Sequence, residues 1–228
     1  MSAETMSGRG KFITFEGGEG SGKSTHTALL AERLKAQGLD VVLTREPGGS
    51  PGAEIIRHII LSGIAKPLGT ETETILFAAA RDDHVNATIL PALRAGKWVV
   101  CDRFIDSTRV YQGAMGKVDM KLIRGLERVT VGDAMPDLTI LIDVPANIGL
   151  ARAKTRRGEG AADRFEAESV EFHENLRLAF LDVARKEPKR FAVIDGRAPR
   201  DVVAERVWEA VEQRLLGEVA APAEAAAP

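Results

Sequence analysis

The chain has 228 residues, and its 31 lysine and arginine residues nearly balance its 33 aspartate and glutamate residues, so the formal net charge at pH 7 is −2. A hydrophobic content of 44% is enough for a buried core and excludes a chain that is disordered throughout. The near-zero charge excludes a continuous basic surface that coats nucleic acid. Any site for a polyanion is therefore expected to be local.

The cysteine content and the terminal segments predict a cytoplasmic protein with one folded domain. The single cysteine, Cys101, cannot form an internal disulfide, which fits a reducing compartment. No apolar run reaches the roughly 20 residues that cross a bilayer, so no membrane contact is expected. The segments 1–10 and 217–228 are small, polar or rich in alanine and proline, and they are predicted to be disordered tails around a single domain at 11–216.

Short apolar runs alternate with longer amphipathic stretches along this domain, which predicts strands alternating with helices. The five predicted strands are Lys11–Phe15, Leu39–Leu43, Lys97–Cys101, Leu138–Ile142 and Arg190–Ile194. Strands this apolar are expected to be buried on both faces, and the helices between them imply parallel crossovers. The predicted fold class is α/β, with a five-stranded parallel sheet flanked by helices. Ligands of such sheets bind at the carboxyl ends of the strands.

A glycine-rich segment directly after the first predicted strand, and directly before a predicted helix, matches the phosphate-loop pattern G-x-x-x-x-G-K-[ST] in full. In this pattern, backbone amides at a helix N-terminus surround a phosphate, a lysine reaches the β- and γ-phosphates, and a hydroxyl binds nucleotide-bound Mg²⁺. The segment predicts a P-loop NTPase fold that binds a nucleoside triphosphate, with Mg²⁺ as cofactor. The predicted ATP-binding residues are Gly17, Gly18, Glu19, Gly20, Ser21, Gly22, Lys23, Ser24 and Thr25.

A phosphate loop alone does not distinguish a kinase from a hydrolysing motor or a GTPase switch. A guanine-reading GTPase ordinarily carries an N-K-x-D segment after a late strand, and the chain has none. The GTPase interpretation is therefore disfavoured, while the other two remain open on the motif alone.

Asp102 and Arg103 follow the third predicted strand, at the edge where ligands are expected. Asp102 is a candidate Mg²⁺ ligand together with Ser24, directly or through water, although an aspartate there can also cap the next helix. An arginine at this edge has no simple structural role, and a bidentate contact to a second phosphate explains it. The pair predicts a site for a phosphorylated acceptor near the phosphate loop.

Four segments, by their order and spacing, resemble the thymidylate kinase family over nearly the whole chain, from Phe12 to about Leu216. They are the phosphate loop FEGGEGSGKST, the segment TREPGGSPG, the helical segment LFAAARDDHV and the stretch DRFIDSTRVYQG. The resemblance implies transfer of the γ-phosphoryl group of ATP to dTMP, giving dTDP and ADP, in dTTP biosynthesis. It also implies a homodimer.

The resemblance, carried over by position, implies a dTMP site. Its residues would be Glu19, Arg45, Phe77, Arg81, Arg103, Thr108, Tyr111 and Gln112. Phe77 would stack on thymine and Arg81 would hydrogen-bond to its O4 edge, and the two lie four residues apart, on one face of a helix. Without the resemblance, Phe77 would be assigned to the core.

The other members of the implied dTMP site divide between base, sugar and phosphate. Thr108 and Gln112 would face the thymine, and Tyr111 would lie near the sugar, where bulk can reject ribose. Arg103 would bind the acceptor phosphate. Arg45 is expected to reach the same phosphate, although a solvated loop position explains Arg45 equally well.

Glu19 places a carboxylate inside the phosphate loop, where phosphates would repel it unless a metal or a hydroxyl donor faces it. The resemblance implies that Glu19 lies near the 3′-hydroxyl of the sugar and the metal. Glycine at the next position, Gly20, together with arginines in the later basic segment, resembles the bacterial-type members of the family, which carry glycine at this position of the loop and place the catalytic arginine in a lid.

A basic segment from Arg152 to Arg164 contains two glycines, Gly158 and Gly160, that interrupt its helical pattern. The segment predicts a mobile lid at about 152–165, because phosphoryl transfer needs positive charge over the γ-phosphoryl group and exclusion of water. A solvated surface hairpin is the alternative. The predicted catalytic residues are Lys23, Arg103, Glu19, and, in the lid, Arg156, Arg157 and Arg164.

Two other functions remain open at this level. One is a small-molecule kinase with a different nucleoside monophosphate as acceptor, and the other is a regulatory P-loop ATPase that binds a partner. A binding module has no use for the constellation of Phe77, Arg81, Arg103 and Thr108, so that constellation favours a kinase.

Overall fold

The structure is a computed structural model that describes residues 8–158 and 168–217. Among these residues, five parallel strands form one sheet in the order β2-β3-β1-β4-β5. The strands are β1 (Phe12–Glu16), β2 (Val41–Arg45), β3 (Trp98–Asp102), β4 (Leu138–Asp143) and β5 (Phe191–Asp195). This arrangement confirms the predicted α/β fold class and the five-stranded parallel sheet.

Helices fill the connections and cover the sheet. In the described part of the chain they are α1 (Lys23–Ala36), α2 (Pro51–Leu61), α3 (Gly69–His84), α4 (Leu90–Arg94), α5 (Ile105–Thr108), α6 (Met120–Thr130), α7 (Ala146–Arg157), α8 (Val170–Lys186) and α9 (Arg200–Val211). A π-helical segment, Arg109–Met115, continues directly from α5 and is called the α5 extension. None of the helices among the described residues is long and apolar enough to cross a bilayer.

Two apolar clusters lie on opposite faces of the sheet, because neighbouring residues of a strand point to opposite sides. On one face, Ile13 of β1 packs with Leu34 of α1 and Trp208 of α9. On the other face, Phe12 meets Phe104 edge to face, with ring centres 4.9 Å apart. The two clusters hold the central strands rigidly, so the residues that follow β1 and β3 start from fixed positions.

The strands extend one or two residues further toward their carboxyl ends than the apolar pattern predicts. Arg45 and Asp102 continue the pairing of β2 with β3, and Asp143 pairs with Asp195 at the end of β4 and β5. Ladder hydrogen bonds join backbone groups and are indifferent to side-chain polarity. An apolar pattern therefore ends a strand too early wherever polar residues occupy its last positions.

The prediction that all five strands are buried on both faces is wrong for the two edge strands. Leu43 of β2 is 47% exposed and Val193 of β5 is 48% exposed, whereas β1 is buried throughout. An edge strand has a neighbour on one side only, and the covering helices reach less far over it. The apolar residues at these edges therefore do not indicate complete burial.

The fold also begins slightly before the predicted domain boundary at residue 11. Arg9 pairs with Asp137 at 3.1 Å, and the amide of Gly10 donates a hydrogen bond to the carbonyl of Leu93 at 2.9 Å. These contacts fix the chain directly ahead of β1.

Candidate active site

A cleft of about 490 Å³ opens at the carboxyl ends of β1, β2 and β3. Its walls come from the loops after these strands, from α3, from α5 and its extension, and from the last turn of α7. The predicted site residues that line it are Glu19, Gly20, Gly22, Lys23, Ser24, Thr25, Arg45, Phe77, Arg81, Asp102, Arg103, Thr108, Tyr111, Gln112 and Arg156. The structure therefore brings residues predicted for both substrates into one cleft.

The phosphate loop turns from β1 into α1 through a left-handed glycine. Gly22 precedes α1 with a φ of 96°, a conformation that residues with a side chain rarely adopt. Inside the loop, Lys23 Nζ donates hydrogen bonds to the carbonyl oxygens of Gly17 at 3.1 Å and Gly18 at 2.7 Å. Burial, together with the Arg103 guanidinium, lowers the pKa of Lys23 to about 8, so its ammonium group is still mostly charged at pH 7.

Glu19 lies among cations from three parts of the chain. Arg156 of α7 donates a hydrogen bond to its Oε1 at 2.8 Å, and Arg103 Nη2 lies 3.9 Å from its Oε2. Burial opposes ionisation of this carboxyl, but Lys23, Arg103 and Arg156 outweigh burial and lower its pKa to about 2. Glu19 is therefore ionised at neutral pH and links the phosphate loop to the basic end of α7.

Ser24, at the start of α1, donates its hydroxyl hydrogen to Oδ2 of Asp102, at the end of β3. Both side chains line the cleft beside Lys23. Two oxygen donors suit Mg²⁺, which usually takes one or two protein oxygens and completes its shell with phosphates and water. Within residues 8–158 and 168–217, no group of three or more histidine, cysteine or acidic side chains is arranged to hold a metal by itself.

Arg103 has a left-handed backbone, with a φ of 70°, which is uncommon for a residue other than glycine. Its amide donates to the carbonyl of Phe15 at 2.9 Å. Its Nη1 donates to Ser107 Oγ at 3.3 Å and lies 3.4 Å from the carbonyl oxygen of Gly17, and its guanidinium carbon lies 5.4 Å from the centre of the Tyr111 ring. The guanidinium is thus held beside the phosphate loop.

Glu16, the last residue of β1, is buried next to Arg103, and the sequence pattern predicts its place at the edge of the sheet but none of its contacts. Its Oε1 accepts hydrogen bonds from the amides of Phe104 at 2.8 Å and Ser107 at 3.1 Å, and its Oε2 accepts from Ser107 Oγ at 2.7 Å. Burial, with a smaller effect from Asp106, raises the pKa of Glu16 to about 7, against the opposing effects of Arg103 and the hydrogen bonds. Glu16 therefore fixes the turn that carries Arg103.

One side of the cleft is a pair of facing helices. The residues concerned are Glu73, Phe77 and Arg81 of α3 and Thr108 and Gln112 of α5 and its extension; these five form the helical wall. Arg81 Nη2 donates to Thr108 Oγ1 at 3.1 Å, and Gln112 Nε2 donates to Glu73 Oε1 at 3.2 Å. Phe77 lies between these two contacts along α3 and lines the cleft.

Arg81 is held from behind by a buried chain of hydrogen bonds. Its Nε donates to Glu46 Oε2 at 2.8 Å, and the other oxygen of Glu46 lies 3.2 Å from Nδ1 of His84. Nε2 of His84 lies 2.8 Å from Oγ1 of Thr44, which returns the chain to β2. Because Arg81, Glu46 and His84 are nearly inaccessible to solvent, the guanidinium has little freedom to turn away from the cleft.

Several sequence-predicted residues are placed differently from the rest. Arg45 lines the cleft but pairs with Glu54 at 3.0 Å and is 55% exposed on its side chain. Arg157 follows Arg156 on α7 but does not line the cleft. Gly17, Gly18 and Ser21 do not line the cleft and accept hydrogen bonds from Lys23. Arg164 and the lid residues 159–165 lie outside the described residues.

Three further residues that line the cleft received no role from the sequence. Arg57 of α2 lines the cleft and donates from Nη1 to the carbonyl of Pro47 at 2.5 Å. Ser107 and Phe104 line it next to Arg103. Phe104 and Ser107 lie in the stretch DRFIDSTRVYQG that carries the family resemblance, whereas Arg57 lies outside all four segments.

A protein-family model described as thymidylate kinase matches residues 15–207 of the chain. The chain belongs to the thymidylate kinase family. The thymidylate kinase of Bradyrhizobium sp. strain BTAi1 is 60% identical to the chain, over 94% of this chain and 95% of the relative. The thymidylate kinase of Afipia carboxidovorans is 60% identical, over 96% of each chain.

A solved thymidylate kinase has the same fold. The crystal structure of thymidylate kinase from Ehrlichia chaffeensis matches with a TM-score of 0.72 at 35% sequence identity, over 89% of this chain and 99% of that one. This likeness confirms the predicted P-loop NTPase fold. Membership of the thymidylate kinase family confirms the resemblance seen in the four segments and identifies the chain as a nucleotide kinase, in preference to a motor or a regulatory ATPase.

Proposed function

We propose that the chain binds ATP on the loop Gly17–Ser24 and dTMP against the helical wall, and transfers the γ-phosphoryl group between them to give ADP and dTDP. One observation carries this proposal: a single cleft is lined both by the phosphate loop and by an aromatic and amide wall. Arg103 stands between the two, close to Glu19 and to the ring of Tyr111. A cleft with this lining can hold a donor phosphate chain and a pyrimidine nucleotide at the same time.

The proposed reaction needs positioning and charge neutralisation more than a protein nucleophile or base. A phosphate oxygen of dTMP is itself the nucleophile and carries no proton that must be removed at neutral pH. Lys23, Arg103 and Arg156 line the cleft and supply the positive charge that transfer of a phosphoryl group requires. Glu19 lies among these cations and keeps them together before substrates arrive.

The proposed cofactor is Mg²⁺, bound with ATP. Ser24 and Asp102 would hold it, directly or through water, because their hydroxyl and carboxylate oxygens suit a small hard cation and already lie against each other. When bound, the ion neutralises part of the charge on the β- and γ-phosphates.

The C-terminal turn of α7 is the described part of the proposed lid at 152–165. Arg156 already reaches the phosphate loop through Glu19, while its side chain remains 65% exposed. We infer that this arginine covers the γ-phosphoryl group once ATP is bound. Arg157 and Arg164 remain proposed lid residues, and the bacterial-type arrangement remains a prediction.

A homodimer is proposed from apolar side chains that stay exposed on one region of the surface. Ile55 of α2, Ile64 and Leu68 of the following loop, and Ile75 of α3 are between 49% and 70% exposed. Exposed apolar groups of this size commonly mark an interface. Sedimentation at micromolar concentration tests this assembly, and a monomer would contradict it. The cytoplasmic location predicted from the cysteine content stays a prediction.

The proposed function is tested by ADP formation with ATP, Mg²⁺ and a panel of acceptors: dTMP, dUMP, UMP, CMP and AMP. We expect rapid turnover with dTMP alone. Lys23→Met is expected to abolish this turnover, whereas the matched control Lys35→Met, at an exposed position of the same helix, leaves it unchanged. ADP formation that does not require an acceptor would contradict the proposal.

A further inference from the structure

The helical wall is built as a ladder with two polar rungs. Glu73, Phe77 and Arg81 recur every four residues on α3, so they lie on one face of that helix. Thr108 and Gln112 have the same spacing on the facing segment. The rungs are Glu73 with Gln112, at 3.2 Å, and Arg81 with Thr108, at 3.1 Å, and Phe77 lies between them.

The first rung fixes which end of the Gln112 amide faces the cleft. An amide can present either a donor nitrogen or an acceptor oxygen, and exchanging the two changes its shape very little. Oε1 of Glu73 accepts a hydrogen bond from Nε2 of Gln112, so the nitrogen of the amide points toward Glu73. The side chains are nearly buried, at 6% exposure for Glu73 and 2% for Gln112, so water does not readily replace either partner. The amide oxygen is left to face the other way, toward the cleft that Gln112 lines.

The second rung presents the opposite polarity. Arg81 has only donors, and one of them, Nε, is already bound to Glu46 at 2.8 Å. Its Nη2 donates to Thr108 Oγ1 at 3.1 Å and to the carbonyl oxygen of Phe104 at 3.3 Å, so among the described residues Nη1 is the guanidinium nitrogen left to donate to a ligand in the cleft that Arg81 lines. Along the wall, the cleft therefore offers a donor at Arg81 and, one helical turn further along the facing segment, an acceptor at Gln112.

We propose that Glu73 is a specificity-determining positioning residue: by fixing the Gln112 amide, it makes the cleft select a pyrimidine with a carbonyl at C4 and an N–H at N3. Thymine and uracil have this imide edge. Cytosine has an amino group at C4, which would place a donor against the donor of Arg81. It also has an acceptor nitrogen at N3, which would face the acceptor oxygen of Gln112. The inference rests on the proposed function, in which Arg81 and Gln112 face the base.

The size of the effect follows from the cost of unpaired polar groups. A site that hydrogen-bonds a substrate group rejects an analogue that cannot reciprocate, because its own buried groups are then left without partners. Without Glu73 as a fixed acceptor, the Gln112 amide can turn over and donate to N3 of cytosine. Loss of Glu73 is therefore expected to lower discrimination between thymine and cytosine nucleotides, and not only to lower activity.

The test compares kcat/KM for dTMP with kcat/KM for dCMP in wild type and in Glu73→Gln, using ATP and Mg²⁺. We expect the dTMP to dCMP ratio to fall about tenfold, the worth of one ordinary hydrogen bond. The matched control is Glu71→Gln, an exposed glutamate on the first turn of the same helix, which leaves the ratio unchanged. A ratio is independent of the fraction of enzyme that is folded, so a purely structural defect would lower both values together and overturn the inference.

Two further variants make the result decisive. Glu73→Asp keeps the carboxyl group on a side chain that is shorter by one methylene. It is expected to lower the ratio of kcat/KM for dTMP to kcat/KM for dCMP, as Glu73→Gln does. Gln112→Met removes the acceptor, and we expect it to reduce kcat/KM for dTMP. If Gln112→Met leaves kcat/KM for dTMP unchanged, the base site of the proposed function is wrong. If Gln112→Met reduces it but both Glu73 variants keep the wild-type ratio, only the inference about Glu73 is overturned.

Discussion

Gly20 of the phosphate loop and Gly149 of α7 meet backbone to backbone. A side chain on Gly20 would place its Cβ 1.9 Å from the carbonyl oxygen of Gly149, and one on Gly149 would place its Cβ 2.3 Å from the carbonyl oxygen of Glu19. The loop and α7 are therefore fitted together with no room for a methyl group. Because Gly20 cannot carry a side chain in this packing, a cation above the loop has to come from elsewhere, and Arg156 of α7 supplies one.

This packing predicts that Gly149→Ala damages the ATP site selectively. The new methyl group would push α7 and the phosphate loop apart, so we expect KM for ATP to rise at least about tenfold, with a smaller change for dTMP. Gly125→Ala on α6 is the control, because no atom lies within 4 Å of the added methyl position. Steady-state kinetics with each substrate varied checks the prediction, and equal KM values for ATP in the two variants would refute it.

Arg156→Ala is expected to reduce kcat about 100-fold, with little effect on KM for dTMP. Arg156 contacts the phosphate loop through Glu19, and a cation at the transferring phosphoryl group stabilises the transition state more than the ground state. Arg185→Ala, at an exposed position on α8, serves as the control. A change confined to KM for dTMP would show that Arg156 belongs to acceptor binding instead.

Arg103→Ala is expected to weaken use of the acceptor while leaving ATP binding nearly intact. Arg103 stands at the base of the cleft between Glu19 and Tyr111, and its loss removes a bidentate partner for the dTMP phosphate. We expect kcat/KM for dTMP to fall about 100-fold or more and the Kd for ATP, measured by calorimetry, to change less than about threefold. Unchanged kinetics with dTMP would remove Arg103 from the site, and Arg94→Ala, an exposed arginine on α4, is the matched control.

Glu46→Gln tests the buried chain behind Arg81. The amide keeps the shape of the carboxylate but loses the charge that Arg81 Nε and the His84 ring face. We expect KM for dTMP to rise about tenfold and the free energy of unfolding to fall by about 3 kcal/mol, because a buried charge loses its partner. Glu54→Gln removes the charge of the exposed pair with Arg45, while its amide oxygen can still accept from the amide of Gly49, and it is expected to cost less than about 1 kcal/mol. Urea unfolding and kinetics measure both effects, and equal stability of the two variants would contradict the expected role of Glu46.

Glu16 predicts a specific dependence of stability on pH. Its pKa of about 7 in the folded protein lies above its ordinary value of 4.5, so between these values the folded state holds a proton that the unfolded state has released. Stability therefore decreases as pH rises from about 4.5 to about 7, by up to about 3 kcal/mol at about 1.4 kcal/mol per pKa unit. The groups facing Glu16 are Arg103, Asp106, the amide of Phe104, and the amide and hydroxyl of Ser107.

The measurement is urea unfolding of wild type and Glu16→Gln at pH 5, 6, 7 and 8. A glutamine does not titrate, so the difference in unfolding free energy between the two proteins is expected to change over this range. Parallel curves would show that Glu16 does not titrate near neutral pH.

The sequence predicts the succession of strands and helices along the chain, and the phosphate loop, because both have strong local patterns. Uniform apolar runs, and a full match from Gly17 to Ser24, can be recognised without knowing what packs against them. The carboxyl ends of the strands were predicted too early because residues such as Asp102 stay in the ladder despite their polarity. Burial at the edges was overestimated because apolar content does not reveal which strands lie outermost.

The contacts of the supporting carboxylates were the part that sequence patterns did not predict. Glu16 contacts Phe104, which is 88 positions away in the chain. Glu46 contacts Arg81, 35 positions away, and Glu73 contacts Gln112, 39 positions away. In the sequence, a glutamate that is buried beside a distant partner cannot be distinguished from one that is exposed to solvent. Motif recognition therefore found groups that face the cleft but did not predict which carboxylates hold them in place.

Carboxylates among the cations of the cleft also limit how far its electric field extends. Glu46 lies beside Arg81, and Glu19 lies beside Arg103 and Arg156. The field of paired charges weakens faster with distance than that of a lone charge, and salt at physiological ionic strength screens the remainder within about 8 Å. A mononucleotide that enters the cleft meets these groups directly, whereas a long polyphosphate strand passing outside meets a surface that is nearly neutral.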